Sequence, residues 1–256
     1  MRVSRLWLWL MLAIVLVPVL ATLVVATSVS FISGPYTGGF TLDWLGVGFS
    51  LLAPTLLHSA QVGLTVAAAN LIVGGPLAWW VARSSSRFAR IVGYLATVPL
   101  AVPGIAISVA LIGSYSGLRP SGLLLLAGHI IFTLPFTLAA LVPVLSSDRL
   151  RECEQVAYSL GASGLRRVLT ITIPWCLVAI IQAAAMSYAL SFGEFNISFF
   201  VNAPANPTAP FALFDAYQTR RLELASAMSI WFIVSLLPVF AALVLLRTRI
   251  TERVTT

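Results

Sequence analysis

The sequence contains no lysine, because all fifteen of its basic residues are arginines. A P-loop of the GxxxxGK[ST] type needs a lysine for the nucleotide phosphates, so this chain cannot bind and hydrolyse ATP by that route. Charged residues are also scarce, at 9% of 256 residues, against about 25% in a typical soluble domain. Hydrophobic residues make up 59%, which is the composition of an integral membrane protein.

Cysteine and histidine are rare, with two of each. Cys153 and Cys176 do not have the spacing of a disulfide framework or a metal site. His58 and His129 lie in separate apolar runs and form no HExxH-type cluster. A membrane-embedded hydrolase would need a nucleophile with a base, or metal ligands. The sequence therefore predicts that this chain is not an enzyme and binds no metal or cofactor itself.

Six apolar runs reach the length of about 20 residues that a spanning helix needs. They are Leu6 to Phe31, Leu56 to Ala82, Ile91 to Tyr115, Leu123 to Leu145, Trp175 to Phe195 and Leu224 to Leu246. The first is too long for the core of a signal peptide, which favours an uncleaved anchor. Ser33 to Pro54 is predicted to be too polar and broken to span. We expect an all-α membrane protein of six transmembrane helices, divided into residues 1–55, a core at 56–246 and a tail at 247–256.

The arginines predict the orientation, since cytoplasmic loops carry the excess of basic residues. With a cytoplasmic N-terminus, one side holds Arg2, Arg5, Arg83, Arg87, Arg90, Arg149, Arg151, Arg166, Arg167, Arg247, Arg249 and Arg253. The other side holds Arg119, Arg220 and Arg221. Both termini and the polar segment 146–174 are therefore expected in the cytoplasm.

The segment from Glu152 to Pro174 is predicted to form two short helices joined by a hinge. The spacing of residues in the first helix predicts an apolar face and an opposite polar face. The apolar face would hold Leu150, Cys153, Val156, Ala157 and Leu160, and the polar face Arg151, Glu152, Glu154 and Gln155. Gly161 can adopt the left-handed conformation of a C-terminal cap, and Ser163 is placed to cap the second helix. Pro174 suits the first turn of the following span.

One pattern in this segment carries a family resemblance. Glu-Ala-Ala, three residues, Gly, nine residues, Ile, one residue and Leu-Pro is matched in spacing by Gln155-Val156-Ala157, Gly161, Ile171, Ile173 and Pro174. Here the chain resembles permease subunits of binding-protein-dependent type I ABC importers. Gln155 replaces the Glu of the pattern, and Glu152 and Glu154 lie close enough to substitute. The resemblance implies coupling helices at 146–174 that contact an ATP-binding subunit through Glu152, Glu154, Gln155, Val156, Ala157, Leu160, Gly161, Ala162, Arg166 and Pro174.

Other stretches resemble permeases for spermidine and putrescine, and their relatives for iron, thiamine and phosphonates. They are His58-Ser59 with Gly74, Ala78 and Arg83, then Pro99 to Gly104, and His129 with Phe132, Leu134, Pro135 and Phe136. The resemblance implies a bacterial inner-membrane subunit that forms the path of a polyamine or related solute. Its implied partners are a second permease, an external binding protein and two ATP-binding subunits that hold ATP-Mg, with no nucleic acid.

Ionisable and amide side chains at membrane depth are candidates for the path of the solute. These are Glu194, Asn196, His129 and Asn70, with ordinary interhelical hydrogen bonding as the alternative. Asp215, Arg220 and Arg221, in an outward polar segment at 202–221, are candidate contacts for the binding protein. An ion-driven secondary transporter is the rival hypothesis, but it would be expected to show paired intramembrane charges or repeated halves.

Overall fold

The computed structural model describes the backbone of residues 2–203 and 205–255, and the side chains of residues 7–203, 205–239 and 241. Within those residues the chain is helical, and its only β-pairing is an isolated bridge between Ser28 and Phe40. The α-helices are α1 (Arg2–Ala26), α2 (Asp43–Ala69), α3 (Gly75–Arg83), α4 (Arg87–Leu95), α5 (Gly104–Tyr115), α6 (Leu123–Leu145), α7 (Asp148–Ser159), α8 (Gly164–Arg167), α9 (Ile173–Phe192), α10 (Asn196–Val201), α11 (Ala209–Thr219) and α12 (Leu222–Thr255). The all-α prediction is confirmed.

Within the described residues, five helices are long and apolar enough to cross a membrane. They are Trp7–Ala26, Asp43–Arg83, Leu123–Leu145, Gly164–Phe192 and Leu222–Val239. A sixth span exists if Arg87–Leu100 and Gly104–Leu118 are counted together, although the two parts meet at a bend of 103°. The chain is therefore a multi-pass membrane protein, and the count of six spans remains a prediction.

The start of the second span differs from the prediction. The segment from Ser33 to Pro54 was expected to be broken, but α2 begins at Asp43 and continues through Pro54. Thr41 stabilises this start, because its hydroxyl oxygen accepts a hydrogen bond from the Asp43 N–H at 3.1 Å. Close packing supports the rest of α2. At Gly48 the helix lies so near Ala227 that an added Cβ would be 3.1 Å from the Cβ of Ala227.

The chain divides into two compact units, residues 1–58 with 207–238 and residues 59–206 with 239–256. The first unit has an apolar core of Leu52, Ala209, Ala216, Leu224, Ala225 and Met228. Part of the predicted outward segment 202–221 is helical. This part is α11, which packs Ala209 and Ala216 into the core. Trp44 closes the unit by donating its indole N–H to the carbonyl of Ser28 at 3.1 Å.

The second unit contains two apolar cores. One includes Ala78, Ala82, Leu138, Leu141, Leu145, Leu150, Cys176, Ala179 and Ala183, and the other Val62, Val66, Leu124, Leu125, Ile197 and Val201. Glycines allow its helices to approach closely. A Cβ at Gly63 would lie 3.0 Å from Tyr188, and a Cβ at Gly128 would lie 2.7 Å from Ile197.

Two π-helical turns interrupt the spans of this unit, at Asn70–Gly74 and Val168–Thr172. Each ends two residues before a proline, Pro76 in α3 and Pro174 in α9. Proline has no N–H to donate to the carbonyl four residues earlier, so the helix must depart from its regular hydrogen bonding at that point. The proline that follows each π turn therefore accounts for the departure from regular helix.

Candidate functional site

Residues 146–174, here called the elbow, contain the predicted cap at Gly161. The φ angle of Gly161 is +83°, in the left-handed region. Its N–H donates to the carbonyl of Tyr158 at 2.9 Å, and the N–H of Ala162 donates to that of Ala157 at 3.0 Å. These two bonds form a Schellman motif, which satisfies carbonyls at the end of α7. The prediction of a glycine cap is confirmed.

The second half of the elbow is not a separate helix. The side chain of Ser163 caps α8 as predicted, by accepting a hydrogen bond from the N–H of Arg166 at 3.4 Å. However, α8 continues through the π turn into α9, so that Gly164–Phe192 is one helical segment. Pro174 is accommodated in the first turn of α9. The elbow therefore consists of α7, a capped turn and the start of a span.

The predicted division of α7 into apolar and polar faces is wrong. Leu150 is fully buried, and Arg151 and Glu154 are half-buried beside it. Val156 and Leu160, expected on the apolar side, are 60% and 82% exposed. The partners of the inner face come from other segments, with Ala82 and Arg83 about 70 positions earlier and Thr172 18 positions later. Helical spacing alone does not reveal them.

Glu154 lies on the inner face, where it forms a bidentate ion pair with Arg83 at the end of α3. The two nitrogen–oxygen distances are both 3.0 Å, and each side chain is 15% exposed. Glu154 Oε1 also accepts a hydrogen bond of 2.6 Å from the hydroxyl of Thr172. Next to it, the Arg151 guanidinium donates to the carbonyl of Ala82 at 2.8 Å. One face of α7 is thus held by α3 and by the π turn before α9.

The opposite face of the elbow combines apolar with polar groups, and the Tyr158 ring there contacts the Arg167 guanidinium, which lies 5.1 Å from the ring centroid. Its large apolar side chains are 55–82% exposed, and they are Val156, Tyr158, Leu160, Leu165 and Leu169. Glu152, Gln155, Gly161 and Arg166 are exposed as well, whereas Ala157 and Ala162 are half-buried. We call this set of exposed residues the outer elbow surface. Exposed apolar side chains grouped with polar ones are typical of interaction surfaces, so this surface is a candidate for one.

A buried polar cluster brings together three of the four predicted path residues. Asn70, in the first π turn, donates to the Thr133 hydroxyl at 2.6 Å and to the Ser187 hydroxyl at 3.3 Å. The hydroxyls of Ser187 and Thr137 lie 3.0 Å apart. These five positions on three helical segments include His129, whose carbonyl accepts from Thr133 at 2.7 Å. The cluster therefore continues along α6 to His129.

His129 connects the cluster to Glu194. Its Nδ1 lies 2.8 Å from the Ser191 hydroxyl, and its Nε2 lies 3.1 Å from the Ser198 hydroxyl and 3.8 Å from Glu194 Oε2. The Glu194 carboxylate is buried and accepts the backbone N–H groups of Ile197 at 2.7 Å and Ser198 at 3.0 Å. It thereby caps the start of α10, where backbone donors need partners.

The side chains of Asn196 and of the three predicted docking residues take no part in this cluster, although the Asn196 backbone N–H donates to the Glu194 carboxylate. Asn196 is exposed, and its carbonyl accepts from the Ser108 hydroxyl at 3.2 Å. Asp215 and Arg220 are exposed. Arg221 is engaged within its own unit, because it pairs with Glu223 at 3.3 Å. The side chains of Arg2, Arg5, Arg247, Arg249 and Arg253, which contribute to the predicted orientation, lie outside the described residues.

Sequence reasoning missed the hydroxyl residues of the site: Thr133, Thr137, Thr172, Ser187, Ser191 and Ser198. Their spacing carries a usable signal. Ser187 and Ser191 are four residues apart, as are Thr133 and Thr137, and each pair lies on one side of its helix. Polar stripes in otherwise apolar spans could therefore have been predicted to meet, although their partners could not.

No family model matches the chain. It is 29% identical over 196 residues to the putrescine transport system permease protein PotI of Escherichia coli (strain K12), covering 70% of this chain and 67% of PotI. It is 26% identical over 219 residues to the spermidine/putrescine transport system permease protein PotC of Haemophilus influenzae, covering 84% and 83%. The molybdenum transport system permease protein ModB of Azotobacter vinelandii is 28% identical over 142 residues, covering 50% and 62%.

The similarity to PotI and PotC extends over most of the chain, and the all-α spans agree with it. The chain is therefore similar to permease subunits of ABC transport systems. Within that class it is similar to the spermidine/putrescine group, to which PotI and PotC belong by name.

Proposed function

We propose that this chain forms, with a second copy or a homologue, the translocation path of an ABC importer for a small solute. The observation that carries the proposal is the elbow, a capped turn with an exposed apolar surface in a chain similar to transport permeases. A separate ATP-binding subunit dimer would dock on the outer elbow surface, and that dimer would bind and hydrolyse ATP-Mg. This chain would bind no cofactor and catalyse no reaction.

The solute class we propose is a polyamine or a related compound, which is the class in the names of PotI and PotC. Importers of iron, thiamine or phosphonate are the alternatives. Asn70 is fully buried beside the hydroxyls of Thr133 and Ser187. An ammonium group has only donors to offer, so a cationic solute would need polar acceptors of this kind. Glu194 and His129 would order the helices around that position, and Asn196 is retained as a fourth proposed residue of the path.

The proposed orientation has both termini in the cytoplasm of a bacterial cell, with the chain in the inner membrane. It rests on the arginine distribution, twelve on one side and three on the other. An external binding protein would then dock on the opposite side, where Asp215 and Arg220 are exposed and Arg221 is partly exposed.

A native cysteine provides the test of orientation and docking. Cys153 is exposed on α7, whereas Cys176 is buried. A membrane-impermeant maleimide should label the chain in inverted vesicles and not in intact cells, and the label should be lost in Cys153→Ser. Bound ATP-binding subunits should slow the labelling. Labelling from outside intact cells would contradict the proposed orientation.

Reconstitution separates this function from an ion-driven secondary transporter. The purified complex, with its binding protein, should take up spermidine or putrescine into liposomes only when ATP is present and a stoichiometric ATPase is bound. Uptake by the isolated chain, driven by a proton or sodium gradient, would instead establish the rival mechanism.

A further inference from the structure

The inner face of α7 makes a three-residue contact, here called the clamp, that consists of Arg83, Glu154 and Thr172. It joins three segments that are distant in sequence, the end of α3, the middle of α7 and the π turn before α9. Both carboxylate oxygens are used, because Oε1 accepts from Arg83 and Thr172 while Oε2 pairs with Arg83. Bidentate and charge-assisted bonds of this kind are stronger and more directional than neutral ones.

We propose that Glu154 is a positioning residue that transmits movement of α7 to α9, and not a contact for the ATP-binding subunit. The inference rests on the proposed function, since it states how a force on the outer elbow surface would reach the spans. The covalent route from α7 to α9 passes through the turn at Gly161, where a Cβ would meet no atom within 4 Å. Since no side chain packs against Gly161, the turn would absorb part of the movement. The clamp is a second, direct route.

The start of α7 supports the same route. Leu150 is fully buried in the core with Leu145, Cys176 and other residues of α6 and α9. The guanidinium of Arg151 donates to the carbonyl of Ala82, in the last turn of α3, where the helix dipole favours a cation. Apolar packing thus fixes one end of α7, and the clamp fixes its middle.

Thr172 has space into which it can move. A cavity of about 600 Å³ is lined by Thr172, Val168 and Ile173 on one side and by Leu141 and Leu145 on another. The cavity is partly open to the surface, since Trp79 and Ile173 in its lining are 47% and 41% exposed. Thr172 is also the last residue of a π turn, and π turns within helices occur frequently at functional sites. A pull on its hydroxyl would therefore act where the span departs from regular helix.

The clamp can be tested by three variants in the assembled complex in liposomes. Glu154→Gln removes the charge, Thr172→Val removes the hydroxyl with little change of shape, and Arg83→Glu with Glu154→Arg reverses the ion pair. We expect the first two to lower the solute transported per ATP hydrolysed by about fivefold or more, the lower end of typical allosteric couplings. The reversed pair should recover part of that ratio relative to Arg83→Glu alone.

Matched controls distinguish positioning from a loss of folding. Asp148→Asn removes an exposed carboxylate from the same helix, and Thr170→Val removes an exposed hydroxyl two residues from Thr172. Both should keep the ratio of the wild type. A merely structural defect would lower assembly, ATPase rate and transport together, and would leave transport per ATP unchanged.

The outcomes separate this inference from the proposed function. If wild type assembles with an ATPase and imports solute, while Glu154→Gln and Thr172→Val keep the wild-type ratio, the clamp does not transmit movement and the inference is overturned. If wild type shows no ATP-dependent uptake, the proposed function itself fails. A Glu154→Gln chain that no longer binds the ATPase would also overturn the inference, because Glu154 would then act in docking.

Discussion

Substitution of Gly161 should weaken coupling in proportion to the backbone strain that it introduces. At φ +83° a residue with a Cβ is strained, and no atom within 4 Å of that Cβ would add a clash. The expected cost is therefore that of the backbone alone, about 1–2 kcal/mol for an ordinary L-residue. Asn tolerates this conformation better than Ala, and a β-branched residue tolerates it worst. The loss of coupling should therefore increase from Gly161→Asn to Gly161→Ala and be largest in Gly161→Val.

That cost changes the population of the capped turn. A difference of one or two kcal/mol changes a two-state ratio by a factor of about 5–30. Hydrogen exchange at the amide of Ala162, which donates to the carbonyl of Ala157, should rise by a factor in this range in Gly161→Ala. ATPase stimulation by solute-loaded binding protein, measured in liposomes, should fall in the same order as the strain.

A second left-handed glycine provides the control. Gly122 has φ +75° and also has no atom within 4 Å of an added Cβ, but it precedes α6 and lies outside the elbow. Gly122→Val should carry a similar backbone cost and retain stimulation. Full stimulation in Gly161→Val, or equal losses in Gly161→Asn and Gly161→Val, would refute the reasoning.

Two further predictions concern stability. Gly128→Ala should lower the free energy of unfolding by about 1–3 kcal/mol through overpacking, because the new Cβ would lie 2.7 Å from Ile197, whereas Gly113→Ala meets open space and should not. Thermal unfolding in detergent compares the two. Glu223→Ala should cost about 1.5–3 kcal/mol, the worth of hydrogen bonds to a charged group, because Glu223 accepts the Phe31 N–H at 2.7 Å; Glu223→Gln, which retains an acceptor, should lose less in the same melting assay.

Local signals predicted the parts of this fold that depend on local chemistry. The apolar run from Leu123 to Leu145 has the bounds of α6. Gly161 and Ser163 cap helices as their residue types indicate, since the absence of a Cβ and a short hydroxyl side chain have the same effect wherever they occur. These features need no information about distant residues.

Features that depend on tertiary contacts were not predictable in this way. Gly48 and Pro54 disfavour a helix in isolation, yet α2 contains both, because packing supplies what propensity does not. Contacts with Arg83 and Thr172 determine which face of α7 is buried. Helical spacing alone does not show whether Glu154 or Gln155 lies on that face. The third apolar run, predicted as one span, is bent by 103°. Pro99 and Pro103 lie at the break, but the presence of a proline does not give the angle.

The two π turns and the elbow belong to one arrangement in the second unit. The cavity is lined by Leu71 and Gly75 from the first π turn and its end, and by Val168 and Thr172 from the second. The sites at which two spans depart from regular helix thus face the same space. Thr172 is the point where the clamp reaches that space, so a displacement of α7 would act where both spans deform most readily. We therefore expect Thr172→Val to lower strongly the solute transported per ATP hydrolysed. Its free energy of unfolding should change only by the loss of one hydrogen bond.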